Sequence, residues 1–262
     1  MSPVASAPVH PPARSNRAYR NVARLVRPLL QAMTRKDWSG EENLPTTTGF
    51  IVASNHMTNI DPLTFAYFLW DSGFAPKVLA KASLFKVPVV RGVLRATGQI
   101  PVYRNTVSAA DSLTAAVTAI DDGDCVAVFP EGTLTRDPEL WPMVAKTGVA
   151  RLALTTRAPV IPVAQWGPQN LLPRYSKLLK PIPRKTITIV AGPPVDLSDL
   201  FDRPQDTATL REATERVMGA ITALLAEIRG ETPPTERYNM RTPLAPGEKR
   251  IGGDHATQPE LP

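Results

Sequence analysis

The sequence predicts an α/β fold in which a mixed central sheet is flanked by helices and preceded by an N-terminal amphipathic helical element. Two observations predict it. Short apolar runs typical of buried strands recur through the middle of the chain, and segments with helical periodicity occupy the gaps between them. This alternation is typical of α/β domains, in which ligands bind beyond the ends of the strands.

The predicted elements follow one another along the chain. The strand-like runs are GFIVAS (49–54), PKVLAK (76–81), GQIPV (98–102), CVAVF (125–129), PVIPVA (159–164) and TITIVA (186–191). Helical patterns cover about 62–72, 84–96, 107–121 and 147–156, and the longest begins after Asp206. That helix is predicted to end at Gly230, because glycine readily adopts the left-handed conformation that terminates helices.

Composition divides the chain into four parts. Of the 262 residues 43% are apolar, enough for a substantial core, whereas the 28 prolines concentrate at turns and at both ends. We predict a disordered lead-in, a helical element, an α/β domain and a Pro-rich flexible tail, over residues 1–14, 15–40, 41–230 and 231–262.

The formal net charge is +6, which favours a polyanionic partner: nucleic acid, an anionic bilayer or a phosphorylated substrate. A single cysteine, Cys125, excludes an intrachain disulfide and argues against a cysteine-based zinc site. No stretch reaches the ~18–20 consecutive apolar residues of a spanning helix. Any membrane contact is therefore predicted to be made from one side.

The N-terminal element is a basic amphipathic segment. Its arginines recur at helical spacing and its apolar residues cover another face: Arg17, Arg20, Arg24 and Arg27 on the first, and Tyr19, Val22, Val26, Leu29, Leu30 and Met33 on the second. This pattern predicts docking on an anionic bilayer, with Pro28 kinking or splitting the helix. The alternative is a helix packed on the domain with a solvated basic face.

Histidine is scarce, and only His56 lies inside the predicted domain, directly after the strand GFIVAS. Asp61 follows five residues later and precedes Pro62, so it is predicted to cap the next helix. On one helix His56 and Asp61 would be about 140° apart, but in a strand–loop–helix turn they can meet. The alternatives are a structural histidine and an aspartate that serves only as a cap.

An ionised aspartate beside a histidine fixes its tautomer and makes the other ring nitrogen a general base. The chain has no G-x-S-x-G elbow, and Cys125 lies in an apolar strand. The predicted nucleophile is therefore a substrate alcohol that His56 deprotonates.

Two later segments favour phosphate binding. Residues 98–104 read GQIPVYR, so Arg104 follows a strand and offers a bidentate guanidinium. Residues 129–133 read FPEGT, where Gly132 and Thr133 can donate at a strand end and Glu131 can orient Arg104 or a substrate hydroxyl. Each fragment alone is common in ordinary surface structure.

Together these segments resemble the glycerolipid acyltransferase superfamily, typified by 1-acyl-sn-glycerol-3-phosphate (lysophosphatidic acid) acyltransferases. Its motif blocks match NHMTNID (55–61), GQIPVYR (98–104), FPEGT (129–133) and VIPV (160–163), with linking matches at AKASLF (80–85) and KTG (146–148). Order and spacing agree from about residue 49 to 164. After Thr133 the chain has Leu-Thr-Arg where Arg-Ser is more usual.

The resemblance implies a reaction and roles for single residues. His56, oriented by Asp61, would deprotonate the sn-2 hydroxyl of the acceptor, which would attack the thioester of acyl-CoA or acyl-carrier protein. The acceptor's phosphate and glycerol would be held by Arg104, Glu131, Gly132 and Thr133, and by Lys81, whose alternative is a solvated lysine. No metal and no cofactor beyond the acyl co-substrate is implied.

The implied partners are the acyl donor, lysophosphatidic acid and an anionic membrane surface, with a peripheral or monotopic location on the cytoplasmic face of the cell membrane. Nucleic acid is not expected, since no recognised motif occurs and aromatics are 6%. The open alternatives are sn-1 acylation of glycerol-3-phosphate, acylation of a lysophospholipid or glycolipid, a thioesterase, and a non-catalytic membrane or nucleic-acid binder.

Overall fold

A computed structural model describes Pro12 and residues 14–103 and 109–240, which fold around a seven-stranded sheet. In chain order the strands are β1 (Thr34–Ser39), β2 (Phe50–Ser54), β3 (Lys77–Lys81), β4 (Ile100–Val102), β5 (Cys125–Val128), β6 (Val160–Trp166) and β7 (Lys185–Ala191). Their order in the sheet is β1-β7-β6-β2-β5-β3-β4. Only the β6–β7 pair is antiparallel, so the sheet is mixed, as predicted.

The helices are α1 (Arg17–Met33), α2 (Asp61–Asp71), α3 (Pro88–Ala96), α4 (Ala109–Asp121), α5 (Gly148–Thr156), α6 (Pro168–Leu171) and α7 (Thr207–Arg229). Short 3-10 turns cover Glu41–Asn43, Ala82–Lys86 and Ser198–Leu200. Within the described residues, no helix combines the length and the apolar character needed to cross a bilayer.

Both faces of the sheet are buried, which explains why its central strands are continuously apolar. Successive residues of β2 point to opposite faces: Ile51 packs in the cluster with α4, α5 and α7, while Val52 packs with Phe65 and Phe68 of α2. The helices therefore form a layer on each side. The C-terminal ends of β2, β3, β5 and β6 lie together at one edge of the sheet.

The six predicted strands are confirmed as β2–β7, but the sequence does not predict β1. Its residues TRKDWS are polar because β1 is an edge strand that pairs only with β7 and is largely exposed. The 15–40 element is therefore helical only as far as Met33. Pro28 lies inside α1 without splitting it.

Part of the apolar face of α1 packs on the domain, whereas Leu29 on the same face is 55% exposed. Tyr19 stacks on Trp70 with 5.3 Å between ring centroids, Leu30 is buried, and Arg27 Nε lies 2.8 Å from Asp71 Oδ1. The prediction that this face dips into a bilayer is wrong for Tyr19 and Leu30, because both are covered by protein. The alternative interpretation of this helix describes their packing correctly.

The start of the predicted C-terminal tail lies on the domain surface. Tyr238 O accepts a hydrogen bond from Val144 N at 3.0 Å, and Arg237 pairs with Glu215 of α7. Gly230 ends α7 with a φ of 63°, as predicted. Most of the predicted lead-in, residues 1–11 and 13, and the remainder of the tail, residues 241–262, lie outside the described residues.

Candidate active site

The loop after β2 brings His56 and Asp61 into contact. His56 Nδ1 lies 3.0 Å from Asp61 Oδ2, and the Asp61 side chain is fully buried. The His56 ring stacks on Phe129, which follows β5, with 4.2 Å between ring centroids. His56 Nε2 has no hydrogen-bond partner among the described residues, so this nitrogen remains available to a substrate.

Asp61 is the first residue of α2, and its carboxylate does not cap that helix. Oδ2 accepts hydrogen bonds from the backbone N–H groups of Met57 and Thr58, in addition to facing the histidine. The predicted cap is therefore corrected: the side chain turns back into the loop. The same oxygen shapes the loop and holds the imidazole.

Glu131 supports the same loop from β5. Its Oε1 accepts from His56 N at 2.9 Å and its Oε2 from Met143 N at 3.0 Å, and its side chain is 1% exposed. Thr135 N donates to His56 O at 2.7 Å. The backbone of His56 is thus held on both sides by residues 131–135. In this structure Glu131 contacts backbone amides, whereas the resemblance implies contact with substrate.

Burial raises the pKa of Glu131 to about 8, from an ordinary value of 4.5. The N–H groups of Met143 and His56 act in the opposite direction, and the nearby carboxylate of Asp61 adds to the rise. Burial therefore opposes the loss of the Glu131 proton. Ionisation of Glu131 places a second negative charge beside the His56–Asp61 pair.

The raised pKa of Glu131 predicts that the stability of the fold depends on pH. Its pKa is higher in the folded than in the unfolded chain, so the folded state binds the proton more tightly and its contribution is complete below about pH 4.5. The contribution falls as pH rises through about 8. We expect the melting temperature to fall as the pH rises over this range. The fall should be smaller in the Glu131→Gln variant. An equal decline in both proteins would contradict the assignment to Glu131.

A buried amide pair holds the loop from behind. Asn55 Nδ2 donates to Gln165 O at 3.0 Å, and Gln165 N donates to Asn55 Oδ1 at 2.9 Å. Thr64 Oγ1 lies 2.9 Å from Gln165 Oε1, which ties α2 to β6. Sequence reasoning missed Gln165 and Thr64. The signal for Asn55 was present, because it opens the NHMTNID block.

His56 lies at one end of an apolar cavity of about 420 Å³. The cavity lining also includes Lys81, Phe129, Gly132 and Thr133. The walls come from three helices and β3, and they are predominantly apolar: Tyr19, Val22, Val26 and Leu30 of α1, Leu63, Ala66, Tyr67 and Trp70 of α2, Val78 and Leu79 of β3, and Val93 and Leu94 of α3. Four of the six apolar α1 residues that the sequence assigns to a bilayer, all except Leu29 and Met33, therefore line this cavity.

The turn after β5 leaves donors free at the cavity. Gly132 has a φ of 71°, a conformation that favours glycine, and its N–H bonds to Phe129 O at 2.9 Å. Thr133 lines the cavity, and neither its N–H nor its hydroxyl has a partner among the described residues. Lys81 lines the cavity and is exposed at the end of β3. Arg104, the remaining predicted phosphate ligand, lies outside the described residues.

Within the described residues, neither Ser54 nor Cys125 is suited to act as the nucleophile. Ser54 is fully buried, with its hydroxyl near Asn55 O and Gln165 Nε2. Burial raises the pKa of the Cys125 thiol well above its ordinary value, which opposes thiolate formation. Within 14–103 and 109–240, no group of three or more His, Cys, Asp or Glu side chains could hold a metal ion.

The sequence is similar to those of curated 1-acyl-sn-glycerol-3-phosphate acyltransferases. A 1-acyl-sn-glycerol-3-phosphate acyltransferase of Borreliella burgdorferi is 35% identical over 133 residues, which are 50% of this chain and 51% of that protein. A chloroplastic 1-acyl-sn-glycerol-3-phosphate acyltransferase of Brassica napus is 31% identical over 145 residues, covering 55% of this chain and 40% of that protein. The chain therefore spans about half the length of these curated relatives.

A solved structure shares the fold. It is the 1-acyl-sn-glycerophosphate (LPA) acyltransferase PlsC from Thermotoga maritima, with a TM-score of 0.61, 21% sequence identity, and coverage of 82% of this chain and 81% of that one. The Acyltransferase family model matches residues 35–166, about half of the chain and nearly all of the segments that build the cavity end around His56. This chain belongs to the Acyltransferase family.

Proposed function

We propose that this protein transfers a fatty acyl group from acyl-CoA or acyl-carrier protein to the sn-2 hydroxyl of 1-acyl-glycerol-3-phosphate, giving phosphatidic acid. The observation that carries the proposal is the His56–Asp61 pair at the end of an apolar cavity, whose lining includes no serine or cysteine of the described residues. The names of the relatives support the same acceptor.

In the proposed reaction His56 is the general base. Its Nδ1–H donates to Asp61, which leaves Nε2 to accept the proton of the acceptor hydroxyl. The alkoxide oxygen attacks the thioester carbonyl; the C–O bond forms, the C–S bond breaks, and the thiolate takes the proton back from the imidazolium. The buried carboxylate of Asp61 stabilises the imidazolium during transfer.

The proposed phosphate site is the basic and donor-rich end of the cavity. Lys81 and the unpaired N–H and hydroxyl of Thr133 supply charge and hydrogen bonds there, and Arg104 completes the set implied by the resemblance. Because Glu131 is buried against backbone amides, we assign it a positioning role. It fixes the backbone of His56 and does not contact the substrate.

The apolar cavity is the proposed site of the acyl chain that is transferred. It begins at His56 and continues along one side of α2, past Leu63, Ala66 and Trp70. An apolar chain in such a cavity gains roughly 0.8 kcal/mol for each buried CH2 group. The cavity therefore favours a long-chain donor whose thioester lies beside His56.

If the cavity holds the transferred acyl chain, a larger side chain in its wall should change the preferred chain length. We expect Ala66→Leu to shorten the preferred acyl chain, because the added side chain fills part of the cavity lined by Ala66. The measurement is kcat/KM for a series of saturated acyl-CoA donors with one acceptor. The matched control is Ala115→Leu, on an exposed position of α4. A changed preference for the acceptor's chain, with the donor profile unaltered, would contradict this assignment.

The decisive experiment is a panel of acyl acceptors and donors assayed with the purified protein. Lysophosphatidic acid should be the best acceptor, with phosphatidic acid as product. Faster acylation of glycerol-3-phosphate, a lysophospholipid or a glycolipid would replace the proposed acceptor and keep the acyltransferase. Release of free thiol with water as the only acyl acceptor would show a thioesterase and overturn the proposal.

A further inference from the structure

The segment between β3 and β4 exposes an unusual number of apolar side chains. None of the nine residues of α3 is buried, although a helix beside a sheet normally buries one face. Val89 is 80% exposed. The others that are at least a third exposed are Leu84, Val87, Val90 and Val93. We call residues 84–95 the first rim segment.

The first rim segment is also basic. Lys86, Arg91 and Arg95 are exposed, and within the described part of the chain none of them forms an ion pair. The sequence has no acidic residue between Asp71 and Asp111. Exposed apolar groups interleaved with unpaired cations match a surface that is itself apolar and anionic.

A second segment with the same character lies between α6 and β7. Residues 174–182, the second rim segment, read RYSKLLKPI. Its most exposed apolar side chains are Ile182 at 88% and Leu178 at 71%. Arg174 Nη1 donates to Thr135 O at 2.8 Å, which places this segment beside the loop that holds His56.

The first rim segment borders the cavity opening, and the second lies at the same edge of the sheet. Leu63, Leu84 and Val93 line the cavity and are also exposed, so the cavity opens between α2, the 82–86 turn and α3. The first rim segment follows β3 and the second follows β6, two parallel strands whose C-terminal ends share one edge of the sheet. His56 follows β2, which lies between them in the sheet order.

We propose that the protein docks on an anionic lipid bilayer through these two rim segments, and that the exposed part of α1, which includes Leu25 and Leu29, is not required for docking. Such docking presents the cavity opening to the membrane, so that a lipid chain reaches His56 without crossing water. A second copy of this chain would place cations against cations, and nucleic acid would leave the valines and leucines without partners. Entry of the transferred acyl chain by this route rests on the proposed function, whereas docking itself requires no turnover.

The test is co-sedimentation of the full chain with vesicles of phosphatidylcholine, with or without phosphatidylglycerol, in the absence of any acyl donor. We expect binding only to the anionic vesicles, weakening as salt is added. Arg91→Gln/Arg95→Gln should weaken it about 30-fold, since each basic residue near such a surface contributes about 1 kcal/mol. Val89→Ser/Ile182→Ser should weaken it roughly tenfold.

The matched control is Arg17→Gln/Arg24→Gln, which removes two exposed arginines from α1 and should leave binding unchanged. Loss of binding in this control with retention in the α3 variant would assign docking to α1 and overturn the proposal. Equal binding to both kinds of vesicle would also overturn it. Failure of acyl transfer with intact, rim-dependent binding would reject the proposed reaction and leave the docking surface standing.

Discussion

Replacing His56 with alanine is expected to lower kcat by about 10²–10⁴-fold, the usual contribution of a general base. The fold should survive, because the contacts that hold this residue are made by its backbone: N–H donates to Glu131 and C=O accepts from Thr135. Alanine keeps both. The removed ring also stacks on Phe129, so a small loss of thermal stability is expected.

The measurement is steady-state turnover of lysophosphatidic acid with acyl-CoA, together with a melting curve for each protein. KM for both substrates should change little, since the ring is assigned to proton transfer and not to binding. Imidazole added to the buffer should restore part of the lost activity by entering the vacated end of the cavity. Normal turnover by His56→Ala would remove the histidine from the mechanism.

The sequence predicts those strands and helices that the local pattern of apolar and polar residues is sufficient to identify. The central strands are recognisable because their residues are apolar on both faces, as in β2, where alternate side chains enter different clusters. β7 is recognisable because polar and apolar residues alternate along it. β1 is missed because an edge strand exposed to solvent carries polar residues and looks like a loop. β1 is a strand because it pairs with β7, and this pairing joins Thr34 to Lys185, which lies far away in the sequence.

In the candidate site too, contacts within one short segment can be predicted from the sequence, and contacts between distant segments cannot. The proximity of His56 and Asp61 follows from a short loop between a strand and a helix, so the spacing alone suggests it. The partners of Glu131 cannot be inferred this way, because His56 N and Met143 N reach it from separate segments. The amphipathic pattern of α1 identifies an apolar face but not what covers it.

Asp61→Asn is expected to lower kcat about 10²-fold while leaving the loop in place. Two backbone N–H groups, from Met57 and Thr58, require an acceptor at the position of Oδ2, so the amide oxygen should occupy it. The amide nitrogen then takes the position of Oδ1, which has no partner among the described residues. His56 keeps a hydrogen-bond acceptor but loses the negative charge. A hydrogen bond to a charged group contributes about 1.5–3 kcal/mol, which corresponds to roughly 10–100-fold in rate.

Comparison with Asp61→Ala separates the charge from the scaffold. Alanine leaves the N–H groups of Met57 and Thr58 without their acceptor inside a buried loop, so both kcat and the melting temperature should fall, and KM should rise as the cavity end loses its shape. Asparagine should lower kcat with a smaller fall in the melting temperature, which comes from its amide nitrogen having no partner at the buried Oδ1 position. If asparagine reduced the melting temperature as much as alanine, the carboxylate would act mainly through the loop. If asparagine turned over at the normal rate, the negative charge beside His56 would have no part in the proton transfer.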